Sequence, residues 1–194
     1  MTAVSPPWIG IVLAGGQSSR MGRDKATLRW GGQTLLEHVR SQLSAAGASR
    51  VLICGRADVQ DAVPDANSGQ GPLAALAQLL PHLNDGVHLV VPVDMPLLSV
   101  GLLQHLASTD ASCAAFAAHP LPMRLQLTPQ VRQVLEKLSR LAAPQLSLRA
   151  LQNKLGALHL DATPWAAQLR GCNTPEEWKA LQQWLDCPPS VHSN

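Results

Sequence analysis

Apolar side chains recur along this chain in two rhythms, and the switching between them outlines its architecture. Trp8 to Ala14 is almost continuously apolar, which suits a strand buried on both faces of a parallel sheet. From Gln33 to Gly47 the rhythm is helical, with Leu35, Leu36, Val39 and Leu43 on one face and Gly47 placed to end the helix. Arg50 to Cys54 is a short β-branched run that reads as a second strand. A loop rich in Gly, Pro, Asp and Asn follows, and Gly71-Pro72 then opens a helix running to about Leu80, with proline at a tolerated first-turn position. Val87 to Val93 is the most strongly β-like stretch of the chain, with the apolar continuity of a central parallel strand. Strand, helix, strand, helix, strand is the order of an α/β domain with a parallel sheet.

The second half continues the pattern. Ser99 can cap a helix carrying Leu102, Leu103 and Leu106, and Ser112 to Ala118 reads as a strand. Thr128-Pro129 opens a helix with Val131, Val134, Leu135 and Leu138 on one face. Ser147 opens another, with Leu148, Leu151 and Leu155 ahead of Gly156. Ala157 to Leu160 reads as a late strand. The last helix starts with a capping box, Thr174 and Glu177, with Pro175 at its first position, and is expected to bury Trp178, Leu181 and Leu185. Pro188 stops it, and a loose tail to Asn194 is expected.

Composition sharpens this outline. The 194 residues suit one domain, with an ordered core over about 8–186. Hydrophobic residues make up 46% of the chain but aromatics only 3%, with no Tyr and one Phe, so the core must be aliphatic. A net charge of +2 is too mild for a nucleic-acid binder, and no run of about 18 apolar residues would cross a membrane. Cys54, Cys113, Cys172 and Cys187 form no C-x-x-C pair, which argues for buried reduced thiols and a cytoplasmic setting.

Charge becomes informative where it is local. The first 40 residues hold Arg20, Arg23, Lys25, Arg29 and Arg40 against Asp24 and Glu37, and three of those cations follow the first strand directly. The stretch from Leu13 to Lys25 has the layout of a strand running into an anion-binding loop. Gly15 and Gly16 let backbone N–H groups approach phosphate oxygens, and Arg20 and Lys25 add charge that amides cannot supply. Lys25 is followed by Ala26 and the three-glycine dinucleotide spacing is missing, so neither common phosphate-loop pattern applies. Asp94, just after the most central strand, stands at the sheet edge where open α/β folds bind ligands. There it either caps a turn or holds Mg²⁺ together with substrate phosphates. Asn173 either orients a metal-bound water or phosphate or makes an Asx turn. Gly71 either starts its helix or lets the backbone meet a base or phosphate. The seven histidines form no metal-binding spacing and read as ordinary surface or core residues. Gly-x-Ser-x-Gly is absent, so a serine hydrolase has no support.

Leu13-Ala-Gly-Gly-x-Ser-x-Arg20-Met-Gly-x-Asp24-Lys25-Ala-x-Leu28, then Gly32, Leu35-Leu36-Glu37-His38, Gly71-Pro72-Leu73-Ala74, Asp94-Met95-Pro96 and Asn173-Thr174-Pro175-Glu176-Glu177 together resemble the molybdenum cofactor guanylyltransferases. The resemblance implies a single three-layer α/β/α, Rossmann-like nucleotidyltransferase domain with a mostly parallel sheet. It implies transfer of GMP from GTP to molybdopterin with release of pyrophosphate, and transient contacts with cofactor-synthesis proteins or apo-molybdoenzymes. Carried onto this chain, the nucleotide would meet Leu13, Ala14, Gly15, Gly16, Arg20, Lys25, Asp65, Gly71 and Asp94. Lys25, Arg20 and Asp94 would be the catalytic set, and Asp94 would bind Mg²⁺. The chain departs from the family pattern at Gly171, where Asn is common, at Ala75, where Gly is frequent, in its short 118–123 segment, and at Gly55, which stands where a base- or ribose-contacting Asn is found. Gly15 matches the guanine-using pattern Leu-Ala-Gly-Gly rather than Leu-Ala-Ala-Gly. Rival readings are a cytidylyltransferase for the same cofactor, a sugar-phosphate nucleotidyltransferase, and a carrier that delivers the cofactor without chemistry.

Overall fold

A computed structural model describes residues 7–15, 24–64, 70–141 and 146–186. In chain order its elements are β1 (Trp8–Leu13), a 3-10 turn (Lys25–Thr27), β2 (Arg29–Trp30), β3 (Gln33–Thr34), α1 (Leu35–Ala45), β4 (Ala48–Cys54), β5 (Ala62–Val63), α2 (Pro72–Gln78) and β6 (Gly86–Pro92). They continue with α3 (Val100–Ser108), β7 (Cys113–Phe116), β8 (Met123–Leu127), α4 (Pro129–Ser139), α5 (Leu148–Leu155), β9 (Leu158–Leu160) and α6 (Pro175–Asp186).

Seven strands form one sheet in the order β5-β4-β1-β6-β8-β7-β9, and β2 with β3 forms a separate two-stranded ribbon. Among the described strands of this sheet only β8 runs against the others, pairing antiparallel with both β6 and β7. The sheet is therefore mostly parallel, as the sequence implies. After β1 the chain moves outward to β4 and β5, then returns to lay β6 on the opposite side of β1. The two outward paths diverge between β1 and β6, and a crevice opens at the carboxyl ends of strands at such a point.

Alternation along the strands divides the core into two layers, one on each face. Trp8 and Val12 pack with α1, α3 and α6, through Leu35, Leu43, Leu102, Leu106 and Leu181. Ile11 and Leu13 point the other way, into Leu73, Leu76, Val131, Leu135 and Leu151 of α2, α4 and α5. This is the expected α/β/α sandwich. At Gly10 a Cβ would lie only 3.0 Å from Leu43 Cδ1, so the missing side chain lets α1 lie close against β1.

Most helix starts carry the caps read from the sequence. The side chains of Ser99, Thr128 and Ser147 accept from the backbone of Leu102, Val131 and Ala150, and Thr174 accepts from Glu177 N. Several details differ from expectation, among them the short strand β5, which falls in the stretch read as a loop. The helix expected from Gln33 begins at Leu35, because Thr34 with Glu37 forms a capping box and the two preceding residues pair as ribbon. The strand β8 was not foreseen at all. Leu185 is 42% exposed instead of buried, leaving Leu181 as the anchor of α6. The thiols of Cys54, Cys113 and Cys172 are buried as expected, and Cys187 and the tail lie outside the described residues. Among the described residues no helix is long and apolar enough to cross a membrane.

Candidate active site

The crevice between β1 and β6 is built from backbone first. Val93 N–H donates to Leu13 O at 3.1 Å, and Ala14 N–H donates to Cys54 O at 2.9 Å, so the chain ends of β1, β4 and β6 are laced together. Gly55, at φ +93°, continues from β4 directly against the loop: a Cβ there would fall 2.3 Å from Gly15 Cα and 2.4 Å from Gly15 N. No side chain fits at position 55 unless one of these turns moves, because real Cβ atoms do not approach backbone so closely. The departure from the family's Asn thus coincides with an unusually close approach of two turns at the floor of the crevice.

Above this floor three predicted residues converge. Lys25 Nζ donates to Asp94 Oδ2 at 2.7 Å and to Asn173 Oδ1 at 2.9 Å, joining side chains 69 and 148 positions apart. Lys25 and Asp94 are mostly shielded, with side chains 15% and 20% exposed, so their attraction is stronger than that of a surface pair. Each is held by local structure. Asp24 caps the turn carrying Lys25 by accepting Ala26 N–H at 3.0 Å. The Asp94 carbonyl accepts Cys172 N–H at 2.9 Å and the Cys172 thiol at 3.4 Å. Burial, then the Asp94 charge, pushes that thiol up to about 11, which keeps its proton in place for this bond. Asn173 precedes α6, where Glu177 Oε2 accepts both Asn173 N–H at 2.6 Å and Thr174 N–H at 3.1 Å. The alternative in which Asn173 makes only a local turn therefore does not describe it.

Leu13, Ala14 and Gly15 stand at the carboxyl end of β1, beside the strand end that leads to Asp94. Gly71, at φ +90°, caps α2, and among the described residues nothing lies within 4 Å of where its Cβ would be, so its backbone conformation is what favours glycine. Gly16, Arg20 and Asp65 lie outside the described residues. A Cβ at Gly171 would sit 3.7 Å from Asp94 Oδ1 and 3.8 Å from Asn173 Nδ2, so a longer side chain there would enter the space between them.

Two supporting groups escape sequence reasoning. His38, on α1, donates from Nε2 to Pro96 O at 2.8 Å while Nδ1 accepts from the Gln33 amide at 3.2 Å. It thereby fixes the Asp94-Met95-Pro96 segment, and burial pushes its pKa below the ordinary histidine range. Trp30 lies between the rings of His38 and Trp178, at 6.1 and 5.8 Å, tying the ribbon, α1 and α6 into one wall. Arg56, next to Gly55, bonds Asp58 through Nε at 2.9 Å and Nη2 at 2.7 Å and reaches Asp24 with Nη1. Arg56 is a lone Arg in the sequence, and His38, although it closes the Leu35-Leu36-Glu37-His38 motif, carries no sign of its partner there, so pattern alone does not reveal these contacts.

Could the site hold a divalent cation? Among the described residues no group of three or more His, Cys, Asp and Glu is clustered for a metal. Mg²⁺, however, commonly takes one or two carboxylates, substrate phosphates and water. Asp94 supplies one such carboxylate, and the absent side chain of Gly171 leaves room beside its Oδ1. The donor set fits a cation shared with a nucleotide.

Comparison with known proteins shows the family and the fold. Residues 10–159 match the family described as the MobA-like NTP transferase domain. A molybdenum cofactor guanylyltransferase of Xanthomonas euvesicatoria is 45% identical over 178 residues, covering 90% of this chain and 94% of that protein. Among solved structures, a nucleotidyl transferase from Methanothermobacter superposes with a TM-score of 0.71 at 17% identity, covering 91% of this chain and 96% of its own. The molybdopterin-guanine dinucleotide biosynthesis protein A of Archaeoglobus fulgidus gives 0.68 at 20% identity, over 92% and 98% of the two chains. These two structural likenesses speak for the fold.

Proposed function

Because this chain belongs to the MobA-like NTP transferase family, alongside relatives that are molybdenum cofactor guanylyltransferases, we propose that it transfers GMP from GTP to molybdopterin. The observation that carries the reading is the meeting of Lys25, Asp94 and Asn173 at the crevice beside the glycine loop. In the reaction a terminal phosphate oxygen of molybdopterin forms a bond to the α-phosphorus of GTP, and the bond from that phosphorus to the β-phosphate oxygen breaks. Pyrophosphate leaves with the electron pair. The attacking phosphate is already ionised, so no general base and no covalent enzyme intermediate is required.

What the protein supplies is position and charge. Lys25, already paired with a carboxylate, exchanges that partner for phosphate oxygens of the nucleotide, and Arg20 adds a second cation from the loop. Gly15 and the neighbouring backbone receive the base. Mg²⁺, bound at Asp94, would offset negative charge on the phosphates. The setting we assign is the cytoplasm, in keeping with the buried thiols, and the cofactor would pass to and from its synthesis proteins or apo-molybdoenzymes by transient contact.

The test is pyrophosphate release from GTP with and without molybdopterin, repeated with CTP. Release that needs the acceptor separates an enzyme from a carrier. A backbone that hydrogen-bonds guanine leaves polar groups unpaired with cytosine, a mismatch that can reach about 10⁴ in discrimination. GTP is therefore expected to be strongly preferred in kcat/KM, and Gly15→Ala to erode that preference. Equal or higher efficiency with CTP would replace the guanylyltransferase reading by the cytidylyltransferase one.

A further inference from the structure

The carboxylate nearest to Lys25 in the chain is not Asp94 but Asp24, the adjacent residue. Left to itself, an adjacent carboxylate competes for the ammonium and draws it out of the crevice. In the structure each oxygen of Asp24 has another partner: Oδ1 accepts Ala26 N–H at 3.0 Å, and Oδ2 accepts from Arg56 Nη1. Arg56 is itself fixed, with a side chain only 15% exposed and two bonds to Asp58. Its backbone follows Gly55, the residue pressed against Gly15. A guanidinium can serve three directions with a rigid planar fork, whereas an ammonium offers a single point of charge.

We propose that Arg56 is a positioning residue for the transfer reaction: by holding Asp24 it both occupies that carboxylate and fixes the turn that presents Lys25 to the nucleotide phosphates. In this role Arg56 acts through Lys25 and not on the substrate itself. The alternative is a purely local role, in which Arg56 and Asp58 staple the connection after β4. The inference rests on the reading above that Lys25 meets phosphate.

A double-mutant cycle tests it, with kcat/KM for GTP in pyrophosphate release and circular dichroism to verify folding. Lys25→Ala is expected to lower kcat/KM by about 10² or more, and Arg56→Ala by about 10 to 10², the cost of misplacing a charged group by an ångström or so. Adding Arg56→Ala to Lys25→Ala is expected to cost less than about 3-fold further, because the residue acts through a group already removed. Asp24→Asn keeps an oxygen for Ala26 N–H but loses its charge for Arg56, and should match Arg56→Ala even if the latter folds poorly. Asp58→Asn keeps one oxygen for Arg56 and leaves the Arg56–Asp24 contact in place, and should cost clearly less than Arg56→Ala. Multiplying losses in the Lys25→Ala background, or equal losses for Asp58→Asn and Arg56→Ala, would overturn the inference while leaving the guanylyltransferase reading intact. A silent Lys25→Ala would overturn both.

Discussion

Gly55 shows how much one missing methyl group can decide. Its Cβ would stand 2.3 Å from Gly15 Cα on a backbone already at φ +93°, so Gly55→Ala adds a clash to a conformation that alanine disfavours. The variant is expected to lose about 2–4 kcal/mol of stability and, because the displaced atoms belong to the glycine loop, to raise KM for GTP. Equilibrium denaturation with a KM measurement checks this, and an unchanged KM would detach Gly55 from the nucleotide site. Asp94→Asn is the complementary case. It keeps size and an oxygen acceptor for Lys25 but removes the charge a divalent cation needs. Mg²⁺-dependent pyrophosphate release should vanish while the circular dichroism spectrum stays as in the wild type. Wild-type release by this variant would remove Asp94 from the metal role. Lys179, exposed on α6, is the matching control, and Lys179→Ala should leave release unaltered.

At the level of elements, the ends of helices carry more functional information than their faces. The capping box of α6 is legible in Thr174-Pro175-Glu176-Glu177, and its Glu177 also binds the Asn173 amide, two bonds from the side chain that holds Lys25. Glu177→Ala should therefore cost about 1 kcal/mol of stability and also slow transfer, whereas an unchanged rate would show that Asn173 is held without its cap. The cap residues were readable because their chemistry is local: a hydroxyl or carboxylate within three positions of the N–H it satisfies. What could not be read lies across long separations. The strand β8 carries Arg124 and Gln126 among its apolar residues. Arg124 is buried because its guanidinium reaches the carbonyls of Ala107, in the last turn of α3, and of Ala111, just beyond that helix. No periodicity announces such a partner. The same holds for His38 against Pro96 and Arg56 against Asp24, whereas Asp94 and Lys25 were legible because the strand ends and the glycine loop place them at one sheet edge.

Across the whole molecule, burial of neutral histidines couples stability to pH. His88, on β6, is buried, with Nδ1 donating to Gly86 O at 3.0 Å and no partner for Nε2 among the described residues, and burial lowers its pKa as it does that of His38. Both groups take up protons more readily in the unfolded chain, so stability is retained above about pH 6.5 and declines as pH falls below it. The urea midpoint should drop between pH 7.5 and 5.5, and His88→Leu should reduce that drop; an identical drop in the variant would exclude His88 as a source. The strand order has a further consequence, in time rather than in space. β1 is made first yet sits in the middle, with its partners at 48–54 and 86–92. From Leu13 to Pro92 is 92 − 13 = 79 residues, and a ribosome adding about 5–20 residues per second takes roughly 4–16 s to make them. Until β6 is made, the edge of β1 that it covers stays bare, an invitation to chaperones and to aggregation, and the crevice between β1 and β6 cannot exist before that interval ends.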